Sequence, residues 1–189
     1  LESNVDGIEN SAFGRSAMFS NQNGVENCAF GTLALQANLN GENNCAFGVL
    51  SLQSNSSGVE NCAFGSYALN SSNVSETSAF GNRALFSITS GIKNCAFGFE
   101  ALLSNVTGNN NSAFGHGALS LNGGADNSAF GRSAMINNTT ASTNSVFGAG
   151  ALFANSIGAA NCVFGAQAAE DQARYDQCVF FDASADAIP

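Results

Sequence analysis

Six Cys, fourteen acidic residues and one His are the side chains of this 189-residue chain with reactive chemistry to offer. Cys28, Cys45, Cys62, Cys95, Cys162 and Cys178 each stand two residues before a Phe, where comparable stretches carry Ser11, Ser78, Ser112, Ser128 and Ser145. A place that takes Cys or Ser alike asks for a small, slightly polar side chain, so free, buried thiols are expected. Bridges along the run from Cys28 to Cys62, or between Cys162 and Cys178, are sterically open if these residues stack. Cys95, flanked by Ser78 and Ser112, excludes a general scheme. There is no CxxC and no Cys/His ligand spacing, so neither zinc nor any other cofactor is expected.

Carboxylates recur at Glu9, Glu26, Glu60, Glu76, Asp126 and Asp176, with Lys93 in the same place. Stacked like charges repel at short range, which asks for a solvated edge. Asn43, Asn110, Thr143 and Ala160 interrupt the series, and a calcium site needs several converging oxygens. His116 has no candidate partner at an equivalent place, and no paired acids, phosphate loop or nucleophile elbow is present. Catalysis is therefore not expected. N-x-[ST] sequons begin at Asn55, Asn70, Asn73, Asn105, Asn110, Asn137 and Asn138. All but Asn110 fall in polar stretches read as loops from which a glycan would project.

The elements that must hold these residues follow from one period. Phe recurs at 13, 30, 47, 64, 80, 97, 114, 130, 147, 164 and 180, a spacing of 16 or 17 residues. The unit reads Asn, Cys or Ser, Ala, Phe, Gly, two variable residues, Ala, Leu, then a polar stretch with a Gly near its end. Such a unit is too short for paired helices or a leucine-rich repeat and fits one turn of a solenoid. The fold class expected is all-β: a parallel β-solenoid of about eleven 16–17-residue rungs with two short strands each, Asn-to-Phe and Ala-Leu. The array runs over 10–169, with 1–9 a damaged first repeat or the continuation of a longer chain, and 170–189 a cap or junction.

Ladders of equivalent residues then assign the faces. Phe13, Phe30, Phe47, Phe64, Phe80, Phe97, Phe114, Phe130, Phe147, Phe164 and Phe180, with the Leu ladder, are expected to form the core. Asn10, Asn27, Asn44, Asn61, Asn94, Asn111, Asn127, Asn144 and Asn161 form a second ladder, broken at Thr77 and Gln177, whose amides can hydrogen-bond along the rod at a corner. The Ala before each Phe lies on the opposite face. A small apolar face wants close contact, either between the halves of each rung or, as the favoured expectation, between copies of the chain around Ala46, Ala63 and Ala96.

Composition narrows the rest. The single Pro is the last residue, so no rung loses a ladder hydrogen bond to it. With five cations and a net charge of -9, the chain lacks a basic nucleic-acid footprint. No apolar run is long enough for a membrane span.

The run Asn-Ser-Ala-Phe-Gly-x-x-Ala-Leu at 111–119, nearly repeated at 10–18 and 127–135, resembles the Asn-Thr-Ala-Ile/Phe-Gly-x-x-Ala-Leu repeat of tail-fibre-like proteins of phages and large viruses and of many extracellular proteins. More distantly it is similar to the head repeats of trimeric autotransporter adhesins, which are shorter and carry an aliphatic residue in place of Phe. The resemblance implies a fibre-like oligomer, a trimer or filament, at an extracellular location or on a virion or cell surface. A structural shaft is the leading expectation. An adhesin segment meeting a cell surface or glycan is the alternative, and an ice-binding solenoid a remote one, since the Thr residues form no ladder.

Overall fold

The computed structural model describes residues 3–169 and 174–181. Their secondary structure is eleven short parallel strands in one sheet, from β1 (Ser11–Phe13) to β11 (Val179–Phe180), in strict sequence order. Successive strands pair in register with like on like: Cys28 on Cys45, Ala29 on Ala46, Phe30 on Phe47. At about 4.8 Å per step the ten steps give a rod about 48 Å long.

Each rung contributes one strand rather than two. The Ala-Leu segment is a turn, in which Leu35, Leu52, Leu69, Leu85, Leu102, Leu119 and Leu152 adopt φ between 49° and 51°. A left-handed Leu costs roughly 1–2 kcal/mol of local strain. It is held by stacking: Leu35 N–H donates to Ser51 O of the next rung at 3.0 Å, and its side chain is fully buried. Two further left-handed columns run along the rod, one through Glu26, Asn43, Glu60 and Glu76, the other through Leu33, Leu50, Tyr67 and Arg83. Three such residues per rung leave too little extended backbone for a second strand.

The Gly after each Phe makes the tight corner. A Cβ on Gly48 would lie 2.6 Å from the carbonyl carbon and oxygen of Gly65, and its φ is 138°. Only Gly allows successive corners to approach this closely.

The strand alternates as expected, but its faces are reversed. Ala29, Ala46, Ala63, Ala79, Ala96, Ala113 and Ala129 are completely buried, and the Leu ladder is buried with them. The Phe ladder points outward. Phe30 is 39% exposed, Phe147 and Phe164 are 38% exposed, and Phe47, Phe64, Phe80, Phe97, Phe114 and Phe130 are half-buried. Phe13, with a neighbour on one side only, is 73% exposed. The expected Phe core and the expected contact between copies through Ala46, Ala63 and Ala96 are both overturned. A rung this short encloses a narrow interior. Two columns of Ala, one of Leu and two of Asn fill it, and no width remains for a column of phenyl rings.

The rod's last rung shifts by one residue. Val179 pairs with Cys162 and Phe180 with Val163, so Phe180 takes the inward place and Phe181 stacks on Phe164 at 5.7 Å. Phe180 is therefore not a member of the Phe ladder, and Cys178, rather than Gln177, occupies the Asn position, its N–H donating to Asn161 Oδ1. The sheet thus continues into 174–181. Residues 170–173 and 182–189, part of the expected cap, lie outside the described residues, as do the first two residues of the expected damaged repeat.

Candidate functional site

Inside the rod, polar side chains are consumed by structure, Asn138 Oδ1 being the one buried side-chain oxygen among the described residues without a partner. Asn27, Asn44, Asn61, Asn94, Asn111, Asn127, Asn144 and Asn161 are buried, and Asn10 is partly buried at the first rung. Away from the break at Thr77, the middle members repeat one pattern. Asn44 Nδ2 donates to Asn27 Oδ1 at 3.1 Å and to Gly58 O at 2.8 Å, while Asn44 Oδ1 accepts from Asn61 N and Asn61 Nδ2 at 3.1 and 3.0 Å. A buried amide with its donors and acceptor engaged is stable in a low-dielectric interior.

A second buried Asn column went unrecognised in the sequence. Asn21, Asn38, Asn55, Asn105, Asn122, Asn138 and Asn155 are all fully or almost fully buried, with Ser72 and Ile88 in the gap. Asn38 Nδ2 donates to Asn21 Oδ1 at 2.7 Å and to Gly41 O at 3.1 Å. The signal was present: an Asn two or three residues before the loop Gly, which is Ala141 in one rung, at the same 16- or 17-residue period. Three of the sequons belong to this column. Asn55, Asn105 and Asn138 cannot present an amide to a glycosylating enzyme once the rod has formed. Of the others, Asn73 and Asn110 are exposed, and Asn70 and Asn137 are half-buried.

Outside, the charged groups remain scattered. Glu9, Glu26, Glu60, Glu76 and Asp126 are exposed along one edge of the strand face, and Lys93 sits 3.6 Å from Glu76. Asp176 is held below the usual carboxylate range by the Ala159 N–H and by Arg174. No group of three His, Cys, Asp or Glu able to hold a metal occurs among the described residues. His116 is exposed and stacks on Phe99 with ring centroids 5.1 Å apart.

Among the described residues, the outward strand face forms an extended surface feature, a stripe two columns wide made of Phe and of Cys or Ser. From Phe30 to Phe164 adjacent rings are stacked with centroids 4.4–5.0 Å apart and planes within 6°. Each inner ring meets another ring on both sides. Its faces are thereby occupied and its edge points outward, so the stripe offers apolar packing rather than flat stacking on a sugar or base.

Cys28, Cys45 and Cys62 lie side by side in this stripe, half-buried and unbridged, with Cys95 and Cys162 further along. Because Cys178 sits in the inward Asn position, a bridge from it to Cys162 is not a ladder contact. Burial, together with the neighbouring thiols of Cys62 and Cys28, pushes the Cys45 thiol up to about 11. Burial also raises Cys62 and Cys95. The thiolate is the nucleophile, so at pH 8 Cys45 should alkylate about a hundredfold more slowly than an ordinary thiol, gaining about tenfold per pH unit and levelling off only above pH 11. Since the folded state favours the protonated thiol, the same group makes folding less favourable as pH rises from 9 to 11. Site-resolved iodoacetamide labelling by mass spectrometry checks this, and rapid labelling of Cys45 at pH 8 would refute it.

No family model matches the chain, and neither does any curated protein or solved structure.

Proposed function

We propose that this chain is a length of structural shaft in an extracellular or virion-surface fibre, built from copies of itself, with no catalytic role. The observation that carries the reading is the unbroken stack of eleven parallel strands, in strict sequence order, over an interior lined by two amide ladders. A solenoid of this kind transmits position along its axis, because every rung is fixed to its neighbours by side chains as well as backbone. The residues following the corner Gly vary from rung to rung: Arg15, Thr32, Val49, Ser66, Asn82, Phe99, His116, Arg132, Ala149 and Ala166. That variation suits a spacer, which needs solubility at its corners and no repeated ligand geometry. The array of Thr that an ice-binding face would need is absent from the outward strand face, which carries Phe, Cys and Ser.

An adhesive role is the second reading, and one feature favours it: a shallow groove near the C-terminal end bordered by Arg132, Phe153 and Gln167. Immunogold labelling of native fibres with antibody against the array separates the two. Labelling along shafts is expected. Labelling confined to tips, with saturable binding of the purified chain to host cells, would overturn the shaft reading.

A further inference from the structure

We infer that two copies of this chain pair face to face through the Phe and Cys/Ser stripe, with their rods running in the same direction. The pairing rests on the reading of the chain as a fibre rod made of its own copies and adds the surface and geometry by which they join.

Three observations select a second copy as the occupant. The first is area: taking roughly 80 Å² of exposed Phe and Cys/Ser surface per rung, from rings that offer about 150–250 Å² each, eleven rungs give roughly 900 Å². A standard interface needs about 800 Å² per partner. The second is period. The rings repeat every 4.4–5.0 Å from Phe30 to Phe164, and a second copy carries the same repeat, so each of these rungs can seat alike. A partner without this repeat would fall out of step within a few rungs.

The third is shape and charge, which also fix direction. Phe forms a tall column and Cys/Ser a low one beside it. A two-fold axis along the rod lays the Phe column of each copy over the low column of the other. It also puts each acidic edge beside the partner's post-glycine edge, so that Glu9 meets Arg15 and Asp126 meets Arg132 across the seam. Rods running in opposite directions, centred on one another, would instead set Phe ridge on Phe ridge. They would also oppose Lys93 to Lys93 and Glu60 to Asp126, both pairs of like charge.

Light scattering on the eluting full chain tests the pairing. The expected mass is about 38 kDa, twice the 19.2 kDa of one chain. The double variant Phe64→Asp, Phe97→Asp should elute at half that mass with an unchanged circular dichroism spectrum. Should it misfold, the milder Phe64→Ser, Phe97→Ser pair replaces it, with at least a tenfold weaker association expected. A monomeric wild-type chain at 100 μM, or dimers that persist unchanged in a folded variant, would overturn the pairing. If immunogold places such a monomer along shafts, only the pairing fails and the shaft reading stands. Direction is read by mild oxidation of Phe97→Cys: a disulfide from the introduced thiol to the partner's Cys95 is expected. A bridge between the two copies of Cys95 in the wild-type chain would show opposite directions and refute the geometry.

Discussion

Replacing Asn44 with Leu should cost about 2–6 kcal/mol of stability, although it puts a larger apolar residue into a buried place. Asn44 makes four hydrogen bonds through its side chain, to Asn27 Oδ1, to Gly58 O, and from the backbone and side-chain nitrogens of Asn61. Removing them leaves the Asn61 N–H and one Asn61 Nδ2 hydrogen without partners in the interior, while Gly58 O keeps Asn55 Nδ2 and Asn61 Nδ2 keeps Val74 O. Each orphaned buried group costs about 1–3 kcal/mol. The loss falls on two adjoining rungs at once, and a stack has no other elements to absorb it. Thermal and denaturant unfolding should show a large drop with Asn44→Leu. A variant as stable as the wild type would mean that the amide ladder does not hold the rungs together.

The period, the in-register stack and the order of strands were legible in the sequence, because a column of identical residues at fixed spacing has few structural solutions. The strand's alternation was legible too: Asn and Ala share one face, Cys/Ser and Phe the other. Which face was inside was not. Hydrophobicity alone ranks Phe above Ala and Asn as a core residue, yet the deciding quantity here is volume. The interior takes a methyl from Ala63 and an amide from Asn61, whose hydrogen bonds are all made within the stack, and has no width for the ring of Phe64.

The left-handed turns also escaped the reading, with a consequence for strand number. Gly117 and Gly150 stand in a column otherwise filled by residues such as Leu33, Tyr67 and Glu100, and Asn43 and Asn110 stand in the column of Glu26 and Glu60. Gly and Asn are the residues that tolerate positive φ most readily. Their recurrence at those two places is the trace that such a backbone leaves. The Leu column carried no such trace, because burial of its side chains compensates the strain.

The reversal of faces also changes what the surface can do. With Phe inside, the chain would have offered Ala to its partners and kept its aromatic rings for stability. With Phe outside, the rod is stable through its amide, Ala and Leu ladders, and the rings are left for contact.

The most direct test compares the same substitution at two adjacent residues on opposite faces. Ala63 is completely buried, and Phe64 points outward and is half-buried. A carboxylate at the first place would be enclosed without a partner, a change that usually abolishes folding in a domain only 5–15 kcal/mol stable. At the second it would meet water. Melting curves followed by circular dichroism on Ala63→Asp and Phe64→Asp, below the concentration at which copies associate, should show the first unfolded or melting far below the wild type and the second melting close to it. The opposite order, with Phe64→Asp unfolded and Ala63→Asp near the wild type, would contradict the arrangement of the rod described here.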